Sequence, residues 1–133
     1  MSKSPAYFWY TFRDACAQGL YDEAEGLLNA HPSLRTATNR VGETVLHWLA
    51  VENHLEAVAW LHARGFAIDG SNHFGTPMFF EVAFLGYHDL LRWLAERMDF
   101  TALMDMEDRD VFAYLAERTE DPSSDFLRSL TNS

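Results

Sequence analysis

The sequence predicts an all-α fold of stacked helix-turn-helix units, and three observations carry that reading. First, the chain repeats itself at a spacing of 33: Asn39-Arg40-Val41-Gly42 recurs as Asn72-His73-Phe74-Gly75, and Trp60-Leu61 falls on Trp93-Leu94. Between and beyond these anchors Ala50 meets Ala83, Asn53 meets Gly86, Glu56 meets Asp89, Val58 meets Leu91, Arg64 meets Arg97 and Asn72 meets Asp105. Second, each unit carries two short apolar stripes of helical period, separated by a residue that tolerates a left-handed backbone. Third, neither helix is long enough to be stable alone, so the units must bury their apolar faces against one another.

The elements follow in order. Ser4-Pro5 opens a first helix with Phe8, Phe12, Ala15 and Cys16 facing in. Gly19 breaks the chain, and Tyr21, Ala24, Leu27 and Leu28 form a second inner stripe. Gly19 lies 34 before Asn53, so the loop Asn29–Thr38 is one residue longer than the strict period. Asn39 to Gly42 is turn chemistry. Thr44 then N-caps a short helix carrying Leu46, Leu49 and Ala50 on one face, and Asn53 ends it. A further helix turns Leu55, Val58, Leu61 and Trp60 inward until Gly65, and Phe66–Gly70 leads out in extended form. In the next unit Thr76 is the expected N-cap and Pro77 the first helical residue, followed by a stripe of Met78, Phe79 and Val82. Val111, Phe112, Leu115 and Ala116 continue the register, and Asp121-Pro122 starts a last helix with Phe126, Leu127 and Leu130. The final unit lacks the Gly turn, as a terminal cap can.

Thr44-Val45-Leu46-His47-Trp48-Leu49-Ala50 resembles the T-P-L-H-x-A-A signature of ankyrin repeats, with Val at the Pro position. Asn53-His54-Leu55-Glu56-Ala57-Val58 resembles that family's G-H-L-E-V-V segment, and Arg64-Gly65-Phe66-Ala67-Ile68-Asp69 its G-A-D-V-N exit. The following unit keeps Gly75, Ala83, Gly86, Leu91 and Leu94, but has Pro77-Met78-Phe79-Phe80 where T-P-L-H should stand. With Phe80 at the motif's His position, the resemblance implies that this unit loses the hydrogen bonds the family's His gives its loop. Taken whole, the resemblance implies an ankyrin-repeat solenoid of about four repeats, near 5–38, 39–71, 72–104 and 105–133, in a single domain over 1–133.

Composition bounds the function. The 133 residues are 48% hydrophobic, enough for a folded core. No apolar run approaches the roughly 18–20 residues of a membrane helix. The stretch from Met1 through Tyr10 to Asp14 lacks the apolar core and cleavage site of a secretory signal. The single cysteine, Cys16, cannot form an internal disulfide, which points to a reducing compartment and most simply the cytoplasm. Twenty Asp+Glu against ten Lys+Arg give a net charge of −10, a surface that repels nucleic acid and anionic lipid. Solubility alone accounts for such an excess, and so does a basic partner attracted over long range; composition does not choose between them.

No catalytic constellation stands out. The six histidines include no i, i+4 pair with a carboxylate between them. His47 and His54 occupy motif positions, where the resemblance implies structural roles. Cys16 lies on an apolar stripe, and no Gly-rich phosphate loop, Ser-centred elbow or Asp-rich metal loop appears. The acids Glu107, Asp108, Asp110, Glu117, Glu120, Asp121 and Asp125 read as a solvated cap face rather than as acid–base groups. The sequence therefore predicts no enzyme, no metal and no cofactor.

By the resemblance, partners engage hairpin tips and the exposed side of each first helix. Carried over by position, the candidates are Arg40, Val41, Glu43, Val51 and Glu52, then His73, Phe74, Thr76, Phe84 and Leu85, then Met106, Glu107 and Arg109, with Ala17 and Gln18 at the start of the surface. Phe74, Phe84 and Leu85, beside Val41 and Val51 and rimmed by Glu43, Glu52, Glu81 and Glu107, would form an apolar patch with a charged edge. The competing arrangement folds Phe84 back into the core. Trp9 and Trp48 are expected to pack between repeats. The implied function is that of a monomeric protein-binding module, most concretely a stoichiometric inhibitor of a basic partner such as a toxin, as in immunity proteins. A non-inhibitory adaptor is the alternative, and an enzyme the remote one.

Overall fold

The computed structural model describes residues 5–131, so the expected opening of the first helix by Ser4 lies outside the described residues. Among these residues eight α-helices follow in order: α1 (Pro5–Ala17) packed on α2 (Tyr21–Ala30), α3 (Val45–Val51) on α4 (Leu55–His62), α5 (Met78–Leu85) on α6 (His88–Ala95), and then α7 (Val111–Ala116) and α8 (Ser124–Thr131). Short 3-10 turns at Pro32–Arg35 and Phe100–Ala102 join the outer helices to the connecting loops. Among the described residues the only extended pairing is an isolated bridge between Ser71 and Pro77. No helix among them is long and apolar enough to cross a membrane. The chain divides into two compact units, Met1–Ile68 and Asp69–Ser133. Each is a stack of two hairpins: α3 packs on α1 in the first, while α7 packs on α5 and α8 on α6 in the second.

In the first unit the core is Trp9, Phe12, Ala15, Cys16, Ala24, Leu28, Leu34, Val45, Leu46, Leu49, Ala50, Ala57, Val58 and Leu61, closed by Phe66 stacked on Phe12 with ring centroids 5.9 Å apart. The expected stripes are met with changes, Tyr21, Leu27 and Leu55 being only half-buried. Phe8 is only half-buried and stacks on His31, while Trp9 takes the inner position. Trp60 does not turn fully inward: small and branched side chains fill the inner face of α4, and the indole is held between Tyr21 at 5.1 Å and the Arg64 guanidinium at 3.8 Å. Trp48 is likewise half-buried beneath Arg13, 4.5 Å from its ring. The extra residue before Asn39 is absorbed by the Pro32–Arg35 turn, which buries Leu34 and lets Arg35 Nε donate to the Arg64 carbonyl at 2.7 Å.

The second unit buries Met78, Phe79, Phe80, Val82 and Ala83 of α5 with Leu90, Leu91, Leu94, Phe100, Val111, Tyr114, Leu115 and Leu127. Phe79 stacks on Phe100 at 4.8 Å and Phe80 meets Tyr114 at 5.2 Å. Here the sequence register is off in three places. Thr76 does not cap α5; Pro77, with ψ 142, is the N-cap, because its extended backbone pairs with Ser71 and leaves the Met78 amide to donate to Gly70 O at 2.9 Å. Ala116, the last residue of the six-residue α7, is exposed and Phe112 only half-buried, while Tyr114 takes the inner position beside Leu115. The last helix starts two residues after Pro122, where Asp121 Oδ1 accepts from the Ser123 and Ser124 amides at 3.2 and 2.9 Å.

Leu49 is fully buried between stacked hairpins, so Leu49→Ala should lower unfolding free energy by about 2–5 kcal/mol. Thr44 Oγ1 accepts from the His47 amide at 3.2 Å, and Thr44→Ala should cost about 1 kcal/mol. Urea unfolding followed by circular dichroism measures both, and equal costs would contradict this packing.

Candidate functional site

One side chain organises each hairpin tip. Asn39 Oδ1 accepts from the amides of Val41 and Glu43 at 3.1 and 2.9 Å, and its own amide donates to Glu43 O at 3.0 Å. Asn72 repeats this with Phe74 and Thr76 at 2.9 and 3.2 Å, and Asp105 with Glu107 and Arg109 at 2.9 and 3.0 Å. The third residue after each is left-handed: Gly42 at φ 82, Gly75 at φ 73 and Asp108 at φ 57. Two residues further on stands the helix N-cap, Thr44, Pro77 or Asp110. The last unit therefore makes the turn despite lacking the glycine, since Asp both accepts the amides and tolerates the left-handed region. The middle hairpin also keeps its geometry without the motif histidine. Its Asn72 Nδ2 donates to Glu81 Oε1 at 2.7 Å, while Phe80 is buried in the core.

The turns differ in polarity by a matched exchange. In the first unit Asn39 Nδ2 donates to Glu43 Oε1 at 2.9 Å. At the same two positions of the last repeat the roles reverse: Asp105 Oδ2 accepts from Arg109 Nε at 2.9 Å, and Arg109 also pairs with Glu117. Burial acts to raise the Asp105 carboxyl, but the Arg109 and Glu107 amides and the Arg109 guanidinium outweigh it and hold the group below its ordinary value. Asp121 is lowered in the same way: burial opposes, and the Ser124 side chain and amide, the Ser123 amide and the Arg128 charge prevail.

This construction turns the residues after each organiser outward. Arg40, Val41, His73, Phe74, Met106 and Glu107 are all exposed. Among the large apolar ones Val41 is 39% exposed, Phe74 69% and Met106 75%. Met106 lies directly on Gly75, where a Cβ would collide with its side chain, so it and the Phe74 tip share one surface. Phe84 and Leu85 are 41% and 42% exposed and are not folded back. They end α5 while Phe74 precedes it, so the patch has two centres separated by about 9 Å of helix. At the second centre Arg118 lies 3.7 Å from the Tyr114 ring and 6.0 Å from that of Phe84. Three candidates are occupied within their own turns: Glu43 by Asn39, Thr76 through its amide by Asn72, and Arg109 by Asp105 and Glu117. Glu52 is exposed and Val51 half-buried; Ala17 is half-buried and Gln18 exposed. Two exposed apolar side chains carry no signal in the motif positions: Met104, 49% exposed, and Tyr10, 48% exposed, which sits next to the inward Trp9 on α1.

The remaining reactive side chains have structural places. Burial pushes the Cys16 thiol up to about 12, with Arg64 opposing weakly, so it stays protonated at neutral pH. His47 is buried, its Nε2 3.9 Å from Glu43 Oε2, beneath the turn that Asn39 organises. His62 Nδ1 lies 3.4 Å from Phe66 O. His88 Nε2 lies 2.9 Å from Pro122 O, with its ring stacked on Phe126. Charge is uneven along the chain: residues 69–133 carry thirteen Asp+Glu against five Arg, and residues 1–68 seven against five Lys+Arg.

Because the folded-state values of Asp105 and Asp121 are depressed, their contribution is complete above the ordinary Asp value near 4 and is lost as pH falls through the lower folded values. The urea midpoint should accordingly be flat from about pH 7 to 5 and drop below about pH 4. Asp105→Asn should cost about 1–3 kcal/mol by setting a donor against Arg109. Adding Arg109→Gln, which restores a donor–acceptor pair, should recover part of that loss; a double variant no better than the single would refute the exchange. Gly75→Ala strains a left-handed residue and displaces Met106, and should lower stability by about 1 kcal/mol or more, read as a shift in Tm.

The family model for ankyrin repeats (many copies) matches residues 46–95. No curated protein sequence matches the chain. The matched stretch runs from the first turn of α3 to the last residue of α6 and contains the Asn72 turn. Ankyrin repeats are protein–protein interaction modules, and outward tips on a rigid hairpin suit that use. With the 33-residue period, the helical hairpins and the side-chain-organised tips, the fold is that of an ankyrin-repeat solenoid, and residues 46–95 match the ankyrin-repeat family.

Proposed function

We propose that the protein is a monomeric, stoichiometric binder of a basic protein, engaged through the apolar surfaces of residues 69–133. One observation carries this reading: the exposed Phe74, Phe84, Leu85 and Met106 all lie in the stretch with thirteen acids against five arginines. Apolar anchors exclude water and supply affinity, while the surrounding negative field speeds encounter with a positive partner. Glu107 stands at the edge of the Phe74–Met106 centre with its side chain 73% exposed. A binder of this kind acts by occupancy. Covering the basic face of a toxin, such as a nuclease surface that otherwise holds nucleic acid, would inhibit it as immunity proteins do. A reducing compartment such as the cytoplasm suits a chain whose one cysteine is a buried, protonated thiol.

Affinity capture from the native cell should return a basic protein at one-to-one stoichiometry, whose toxicity on expression is relieved by co-expressing this chain. Its association rate should fall about tenfold or more as salt rises through physiological strength. Phe84→Ala with Leu85→Ala should weaken binding by about tenfold to a hundredfold while Tm stays within a few degrees. A captured partner that is acidic, or an association rate indifferent to salt, would sink the electrostatic reading; a bound partner whose activity is untouched would leave an adaptor.

A further inference from the structure

A cleft of about 290 Å³ opens in the first unit between α1 and the Asn39 turn, lined by Trp9, Tyr10, Thr38, Asn39 and Arg40. Two groups there lack partners. Trp9 is 1% exposed, yet its indole Nε1–H is buried with no hydrogen-bond acceptor among the described residues. Buried donors in folded proteins are nearly always satisfied, so an orphan at a cleft wall points to an acceptor that comes from outside. The second group is Arg40. Of the nine arginines, seven lie over aromatic rings and Arg35 donates to the Arg64 carbonyl; Arg40 alone has neither role among the described residues.

The rest of the lining narrows the ligand. Both side-chain atoms of Asn39 are committed to its turn, and its amide nitrogen occupies Glu43, the nearest carboxylate in sequence. Tyr10 is 48% exposed and offers a ring face, with Arg13 packed 5.1 Å from it and already paired with Asp14 at 2.7 Å. No carboxylate lines the cleft, although acids outnumber Lys+Arg twenty to ten in the chain. One N–H donor and one guanidinium with no other role, lining the same cleft, match a single carboxylate. A dianionic phosphate would call for more than one cation.

We infer that this cleft receives a glutamate or aspartate side chain from an acidic peptide segment of a partner protein. Binding uncovers the indole N–H at the cleft wall: one carboxylate oxygen accepts from Trp9 Nε1–H and the other from the Arg40 guanidinium, with the Tyr10 ring against the side-chain stem. The site belongs to the first unit and to a ligand of opposite charge from the partner proposed above, so the two readings stand or fall separately.

The test follows the indole N–H resonances of the four tryptophans in ¹⁵N-labelled full-length protein, assigned through bonds, while a capped tetraglutamate peptide is titrated in. The Trp9 resonance should move downfield and saturate, and capped tetraglutamine should not move it. Arg40→Gln, whose fold is checked by its backbone amide spectrum, should weaken tetraglutamate binding about tenfold or more. A Trp9 resonance that stays still, that responds equally to tetraglutamine, or whose titration is unchanged in Arg40→Gln would overturn the assignment and leave the indole N–H a buried donor without a ligand.

Discussion

A single side-chain oxygen accepting two backbone amides, two and four residues ahead, sets the geometry on which the protein depends. It is supplied by Asn39, Asn72 and Asp105, one period of 33 apart. Each closes a tip whose third following residue is left-handed and whose fifth is the N-cap of an inner helix. The phase of each inner helix is thereby fixed, and Val45, Met78 and Val111, each the first residue of its helix, are all fully or almost fully buried. The same bonds decide the surface. Amides at the tip point inward to the organiser, so the side chains between them have nowhere to go but out. Stability and display are two consequences of one local interaction.

That interaction explains which parts of the structure could be read from the sequence. Thr44 to Asn53 was legible because every residue uses its commonest chemistry: a threonine cap, branched core residues at helical spacing and an asparagine in the left-handed region. The third turn was legible only in part: the period sets Asp105 opposite Asn72, but Asp105 and Asp108 replace the Asn and Gly that announce such a turn, and Arg109 four residues on stands where the first turn has a glutamate. Such an exchange is visible only when donor and acceptor are considered together. Trp60 was misplaced for a different reason. Periodicity assigns a face, but the half-buried edge of a short helix takes a large ring wherever a guanidinium or second ring can cover it, as Arg64 and Tyr21 cover Trp60. At the candidate surface, the exposure of Phe84 and Leu85 followed from register. The splitting of the patch did not, since it depends on α5 being eight residues long.

The acid excess also divides once partners are assigned. Asp99, Asp105, Asp110 and Asp121 all accept backbone amides at turns or helix starts, where the local dipole favours negative charge. These carboxylates are part of the fold. Glu107, Asp108, Glu120 and Asp125 stay exposed, and they generate the field that a partner would meet. Solubility and partner choice, which composition could not separate, thus draw on different residues of the same segment.

The arginines show the complementary logic. Placed over rings, as Arg64 is over Trp60, Arg97 over Trp93 and Arg118 over Tyr114, a guanidinium covers apolar surface that short helices cannot bury. Cations used this way are held against the protein and contribute little that a ligand can reach. The outer field is therefore set by the acids, and an arginine left outside this pattern is conspicuous on chemical grounds. Arg40 is such a residue, carried on a tip whose organiser already accepts the Val41, Gly42 and Glu43 amides. A charge released from structural work, beside a buried donor still lacking an acceptor, is where the first unit's capacity for recognition is concentrated.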